Sequence, residues 1–133
     1  MSTYRVALIG TGRVGYQFSF SDLPDNHAAA ISQHPSCELV AGVNRGRKKL
    51  DAFGQRFGVE DLYHDYQQML AEVQPDICIV ATHPELHAEM VEGCAKAPST
   101  KAIICEKPMA LSLSECDRMI AACQAGNILL QIN

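Results

Sequence analysis

The sequence predicts an α/β fold, a doubly wound and mostly parallel sheet of five to six strands with helices on both faces. Three observations predict it. Short apolar runs alternate with stretches of helical length and spacing along the whole chain. Asp76 to Ala81 (Asp-Ile-Cys-Ile-Val-Ala) is an almost unbroken apolar run, as a parallel strand covered on both faces requires. The first apolar run, Tyr4 to Ile9, ends directly on Gly10-Thr11-Gly12-Arg13-Val14-Gly15, a G-x-G-x-x-G spacing at a strand-to-helix corner.

The elements follow in order. Tyr4 to Ile9 is the opening strand, and Arg13 to Phe20 has room for two helical turns. Pro24, in the polar stretch Ser21 to Asn26, interrupts that helix. Asp25 or Asn26 caps a second piece, His27 to Gln33, which His34-Pro35 ends. Glu38 to Val43 is the second strand. Arg47 to Phe57 has helical spacing, with Leu50, Phe53 and Phe57 on one face, and Gly58 stops it. Tyr63 marks a very short extended piece, and Asp65 caps a helix over Tyr66 to Glu72. After the Asp76–Ala81 strand comes a helix over Glu85 to Lys96, with Leu86, Met90 and Cys94 at four-residue spacing. Lys101 to Cys105 is a strand. Ser112 and Glu115 form a capping box for a helix over Leu113 to Ala125, and Gly126 ends it before a final strand over Ile128 to Ile132.

Composition bounds the partners. The 133 residues make one ordinary domain, 47% hydrophobic and 20% charged, enough apolar material for a core. A net charge of −4 and few aromatics argue against a nucleic-acid partner. No segment approaches a membrane-spanning length of apolar residues. The first strand begins within a few residues of Met1, which leaves no room for a signal peptide, so the expected location is cytoplasmic. The six cysteines form no C-x-x-C and read as reduced core fillers.

In repeated βαβ units ligands sit beyond the carboxyl ends of the strands. Here those ends are Gly10 to Gly15, Asn44-Arg45, Ala81-Thr82-His83 and Glu106-Lys107-Pro108. In the glycine turn, the first glycine allows the tight turn and the second admits a pyrophosphate to the backbone. The third lets the new helix pack on the strand, and the helix N-terminus faces the phosphates. Gly10, Thr11, Gly12, Arg13, Val14 and Gly15 are therefore candidate cofactor contacts, the alternative being a structural turn in some other α/β domain.

Asn44 stands where an acidic residue would grip the ribose 2′-hydroxyl of NAD, although it lies further from the glycines than the usual spacing, which the Pro24 insertion explains. With Arg45, Arg47, Lys48 and Lys49 beside it, the stretch favours NADP over NAD; the alternative is a solvated basic helix start. Ala81, Thr82 and His83 are placed to touch the cofactor ribose. His83 and His87 have a metal-compatible spacing, but no Glu sits inside the pair as in H-E-x-x-H and no third ligand is evident, so no metal is assigned. His87, one turn into its helix, could face the same cleft. Lys107, at the end of a buried strand, can polarise a substrate oxygen, with Glu106 orienting or pairing with it. On position alone a surface ion pair explains Lys107 equally well.

Gly10-Thr-Gly12-Arg-Val-Gly15, Thr82-His83-Pro84-Glu85-Leu86-His87 and Glu106-Lys107-Pro108 together resemble the Gfo/Idh/MocA family (glucose–fructose oxidoreductase and inositol dehydrogenase), over nearly the whole chain. The tripeptide is the most specific part. The resemblance implies a Rossmann-type domain of an NAD(P)-dependent oxidoreductase acting on sugars, polyols or related cyclic compounds. It implies that Lys107 contacts the reacting hydroxyl or carbonyl and that His87 lies near the nicotinamide side of the cleft, these two being the expected catalytic residues. Position 83 is often Asn in the family, and the residue corresponding to His27 normally follows the third glycine closely; both depart here.

Family members continue into a second α/β domain that supplies the substrate pocket and usually the oligomer interface. The expectation is therefore a cofactor-domain piece of a longer protein, homo-oligomeric in full length as the resemblance implies, one that alone binds a dinucleotide weakly and turns nothing over. The competing reading is a stand-alone dinucleotide-sensing or regulatory module, and a third is a related domain for another adenine nucleotide.

Overall fold

The computed structural model describes residues 2–12, 15 and 26–133. Six strands form one all-parallel sheet: β1 (Tyr4–Ile9), β2 (Cys37–Val43), β3 (Asp61–Tyr63), β4 (Ile77–Val80), β5 (Ala102–Cys105) and β6 (Leu129–Ile132). Their spatial order is β3-β2-β1-β4-β5-β6. The described helices are α1 (His27–Gln33), α2 (Arg47–Phe57), α3 (Tyr66–Val73), α4 (His87–Lys96) and α5 (Leu113–Ala125). The sheet is built outward in one direction from β1 to β3 and in the other from β4 to β6. The β1/β4 boundary is thus the switch point at which α/β sheets open a crevice. The expected helix over Arg13 to Phe20 and its interruption at Pro24 lie outside the described residues.

Strand period explains the two layers. Along β1, Val6 and Leu8 point to one face and Ala7 and Ile9 to the other, and all four are fully buried. Val6 and Leu8 pack with Ala28 of α1 and Phe53 of α2. Ala7 and Ile9 belong to a larger cluster with Met69 of α3, Val91 and Cys94 of α4, and Met119 of α5. Helices therefore cover both faces, and the central strands read as continuous apolar runs for that reason.

Local signals set the boundaries. Asn26 Oδ1 accepts the Ala29 N–H at 2.9 Å and caps α1. Asp65 Oδ1 accepts the Gln67 N–H at 2.8 Å and caps α3. Ser112 Oγ accepts the Glu115 N–H at 3.2 Å. The return half of that box is shifted, because Glu115 Oε2 accepts the N–H of Leu111, one residue ahead of the cap, at 2.9 Å. Gly58, at φ 67°, closes α2.

One expectation changes and one holds. The helix expected from Glu85 opens as a 3₁₀ turn over Pro84–Leu86, with Leu86 N–H bonding His83 O at 3.0 Å, and becomes α-helical only at His87. Pro84 occupies the first helical position, where its missing N–H is not needed. The buried stripe of α4 is His87, Ala88, Val91, Cys94 and Ala95, while Leu86 and Met90 lie at its margin. The short piece at Tyr63 is a true edge strand, paired with β2.

At the amino ends of the strands, Asp76 stitches the sheet. Its Oδ2 accepts the Arg5 N–H at 2.9 Å, and Oδ1 lies 2.8 Å from Lys101 Nζ. The Arg5 N–H, then Lys101, hold the Asp76 carboxyl below the usual carboxylate value. All six cysteines are free thiols. Among the described residues no helix is long and apolar enough to cross a membrane.

Candidate cofactor site at the carboxyl rim

Register brings the strand ends level. Ile9 of β1 pairs with Val80 of β4, and Val80 with Cys105 of β5. Gly10, Ala81 and Glu106 therefore sit side by side on the carboxyl rim, across the switch point. The glycine turn and Lys107 share that rim.

The described glycines of the turn have distinct jobs. Gly10 has φ 98°, a left-handed conformation that favours glycine, and its N–H bonds Val43 O at 2.8 Å. A Cβ there would stand 2.5 Å from the carbonyl oxygen of Ala81. A Cβ on Gly15 would overlap the carbonyl oxygen of Gly10. A Cβ on Gly12 would meet nothing within 4 Å among the described residues. The first and third glycines are thus required by the protein itself, whereas nothing among the described residues crowds the second. That bare backbone at a strand end is the feature a dinucleotide diphosphate fits. Arg13 and Val14 lie outside the described residues. The Thr11 hydroxyl is sealed under the turn with no partner among the described residues.

Asn44 ties β2 to the turn. Its Oδ1 accepts the Thr11 N–H at 3.3 Å and its Nδ2 donates to Gly46 O at 3.0 Å. The His64 Nδ1, from the end of β3, lies 2.9 Å from Asn44 O. Arg45 is exposed and has no ion-pair partner among the described residues. Arg47 pairs with Asp51 at 3.4 Å. The first turn of α2 contains no acidic residue, so its basic side chains stand against the positive end of the helix dipole.

Between β4 and α4, Ala81 N–H bonds Ile9 O at 2.8 Å, and the Thr82 hydroxyl donates to His83 O at 3.4 Å. His83 is exposed. His87 is fully buried. Its Nδ1 lies 2.8 Å from Pro108 O and its Nε2 3.0 Å from Thr82 O. The ring therefore bridges the loops after β4 and β5, and both nitrogens face backbone carbonyls rather than the cleft. The described residues include no cluster of three or more metal-ligating side chains.

Glu106 is 7% exposed. Its Oε1 accepts from His27 Nε2 at 2.7 Å and from Asn133 Nδ2 at 2.8 Å. Its Oε2 accepts the Lys107 N–H at 3.3 Å. Burial pushes the carboxyl up; the Asn133 and His27 hydrogen bonds, with the His27 charge and the Lys107 N–H, outweigh it and leave the group below its ordinary value. Glu106 thus meets Lys107 only through the backbone, not the ammonium. The Lys107 side chain is exposed, with no hydrogen-bond or ion-pair partner among the described residues, and the Lys107–Pro108 peptide is cis. Sequence reasoning gave no role to His27 or Asn133, because nothing local in spacing joins them to a residue 79 and 27 positions away.

A glycine turn at the switch point of a parallel sheet, with a lysine on the next strand but one, defines a dinucleotide-binding α/β domain. Residues 4–133 match the oxidoreductase family with an NAD-binding Rossmann fold known as Gfo/Idh/MocA, and the chain belongs to that family. It is 37% identical over 108 residues to D-apiose dehydrogenase of Paraburkholderia graminis, covering 81% of this chain and 28% of that protein. It is 29% identical over 126 residues to myo-inositol 2-dehydrogenase of Thermotoga maritima, covering 95% of this chain and 34% of that protein. Among solved structures, the WlbA dehydrogenase of Bordetella pertussis, in complex with NADH and UDP-GlcNAcA, superposes with a TM-score of 0.86 at 27% identity, over 98% of this chain and 37% of that one. The chain spans about a third of the length of the relatives it matches.

Proposed function

We propose that this chain is the cofactor-binding part of an NAD(P)-dependent dehydrogenase or reductase whose substrate is a sugar, polyol or related hydroxyl or carbonyl compound. One observation carries the reading: a lysine ammonium with no partner among the described residues shares a rim with the glycine turn across the switch point. The nicotinamide, when bound, supplies or accepts a hydride. Lys107 holds the substrate oxygen and stabilises charge as the carbon–oxygen bond changes order. Gly10, Thr11, Gly12, Arg13, Val14 and Gly15 seat the diphosphate, and Ala81, Thr82 and His83 face the ribose. His87 acts as a brace wedged between the Thr82 and Pro108 carbonyls, its one N–H in either neutral tautomer donating to one of them, and its ring offers no nitrogen to the cleft. The sugar and inositol dehydrogenases among its relatives support the substrate class.

For the adenosine end we favour NADP. The Asn44 amide is committed to Thr11 and Gly46 and presents no carboxylate, while Arg45 is exposed next to it. The WlbA structure was solved with NADH, so titration decides between the two. Arg45→Asp is expected to weaken NADPH binding and leave NADH binding unchanged; equal NADPH affinity in the variant contradicts the preference.

The substrate pocket and any oligomer interface are assigned to the remaining two thirds that the relatives possess, and the reduced thiols accord with a cytoplasmic setting. Residues 1–133 alone are then expected to bind dinucleotide without turnover. A sensing module is the weaker reading, since it has no use for a free ammonium beside the cofactor. The deciding experiment assays the full-length protein with NAD⁺ and NADP⁺ against a panel of polyols and sugars. Lys107→Met is expected to lower kcat by about 10²–10⁴-fold while dinucleotide affinity holds within about twofold. Undiminished turnover in Lys107→Met overturns the assignment.

A further inference from the structure

We infer that His27 and Asn133 are positioning residues that sequester the Glu106 carboxylate so that the adjacent Lys107 ammonium stays free for a ligand oxygen. The inference rests on the functional reading above for the ligand, but not for the clamp itself.

A glutamate next to a lysine at a strand end is an obvious ion-pair partner for it. Here the carboxylate is turned away and held. Oε1 takes two donors, His27 Nε2 from the start of α1 and Asn133 Nδ2 from just beyond β6. Oε2 is occupied by the Lys107 backbone N–H. The main chain is fixed as well, with Glu106 N–H on Val80 O at 2.9 Å and Asn133 N–H on Cys105 O at 3.0 Å. On the far side, Pro108 O is held by His87. The tripeptide is pinned on both sides of Lys107, while the side chain between them is exposed. With His27 removed, Lys107, the next residue in the chain, is a cation available to Glu106. The released carboxylate would then pair with it, raising its basicity and competing with any substrate oxygen.

The test measures the reactivity of Lys107 itself. Full-length protein is labelled with trace acetic anhydride across a range of pH, and acetylation at Lys107 is quantified by peptide mass spectrometry. No substrate or cofactor is present, so the result stands apart from the dehydrogenase assignment, which the turnover assay tests. His27→Ala is expected to shift the labelling profile to higher pH by about half a unit, about a threefold slower rate below the midpoint. His27→Gln, whose amide can still donate to Glu106, is expected to label as native. The double variant His27→Ala/Glu106→Gln is expected to return to the native profile, which a general loss of structure would not do. Asn133→Ala, at an exposed position, provides the same comparison should His27→Ala fold poorly, with a smaller shift in the same direction. An unshifted Lys107 profile in a folded variant lacking either donor overturns the inference, as does failure of Glu106→Gln to restore it.

Discussion

Gly10 joins two demands that a single Cβ would violate: a left-handed φ of 98° and contact with the Ala81 carbonyl. Gly10→Ala is expected to destabilise the fold by at least about 1–3 kcal/mol from the backbone alone, read as a lower midpoint in urea denaturation. An unchanged midpoint would mean that the turn relaxes freely. Glu106 makes the other residue-scale point. Its folded value lies below the ordinary one, so the stability it contributes is fully present above the ordinary carboxyl value of 4.5 and is lost as pH falls through the lower folded value. Glu106→Gln should therefore flatten the acid limb of a stability-against-pH curve measured below about pH 5. The glycine roles were legible in the sequence, because the spacing of Gly10, Gly12 and Gly15 encodes them locally. The Glu106 clamp was not. The sequence suggested an ion pair with Lys107 from adjacency, whereas the three-dimensional neighbours, His27 and Asn133, outcompete it.

At the scale of elements, α2 is anchored by Phe53, fully buried between Phe57 and the sheet, with its ring against Gly42 of β2. Phe53→Ala should cost about 3–5 kcal/mol, visible in the same denaturation experiment. The strands are also fastened at their amino ends. Asp76 is held below its ordinary value by Arg5 and Lys101, so this contribution too is present above pH 3.8 and disappears on further acidification. With the Lys101 side chain 65% exposed, Asp76→Asn is expected to cost only about 1–2 kcal/mol at neutral pH. Most elements followed from periodicity and caps: Arg47–Phe57 and Leu113–Ala125 have the expected bounds. The start of α4 did not. Pro84 admits either an α-helical or a 3₁₀ first turn, and burial of His87 rather than Leu86 goes with its place against the Thr82 carbonyl and the carbonyl of Pro108, 21 residues away in sequence.

For the whole molecule, topology does what no single residue can. Parallel pairing sends every strand's carboxyl end to one rim, and the strand order reverses at β1/β4, where sheets of this kind take their ligands. That is why Gly10, Asn44, Thr82 and Lys107, scattered along the chain, reach one edge. Alternation of apolar runs and helical stretches foretold this arrangement. The central claim is that the bare backbone at Gly12 seats a dinucleotide diphosphate. Gly12→Glu tests it most directly, since its Cβ meets nothing within 4 Å among the described residues and the variant is expected to fold. Fluorescence titration with NADH and NADPH is predicted to saturate with the native protein and to lose binding by at least about tenfold with Gly12→Glu, the new carboxylate standing where the phosphates belong. Equal affinity in the two folded proteins would contradict the account.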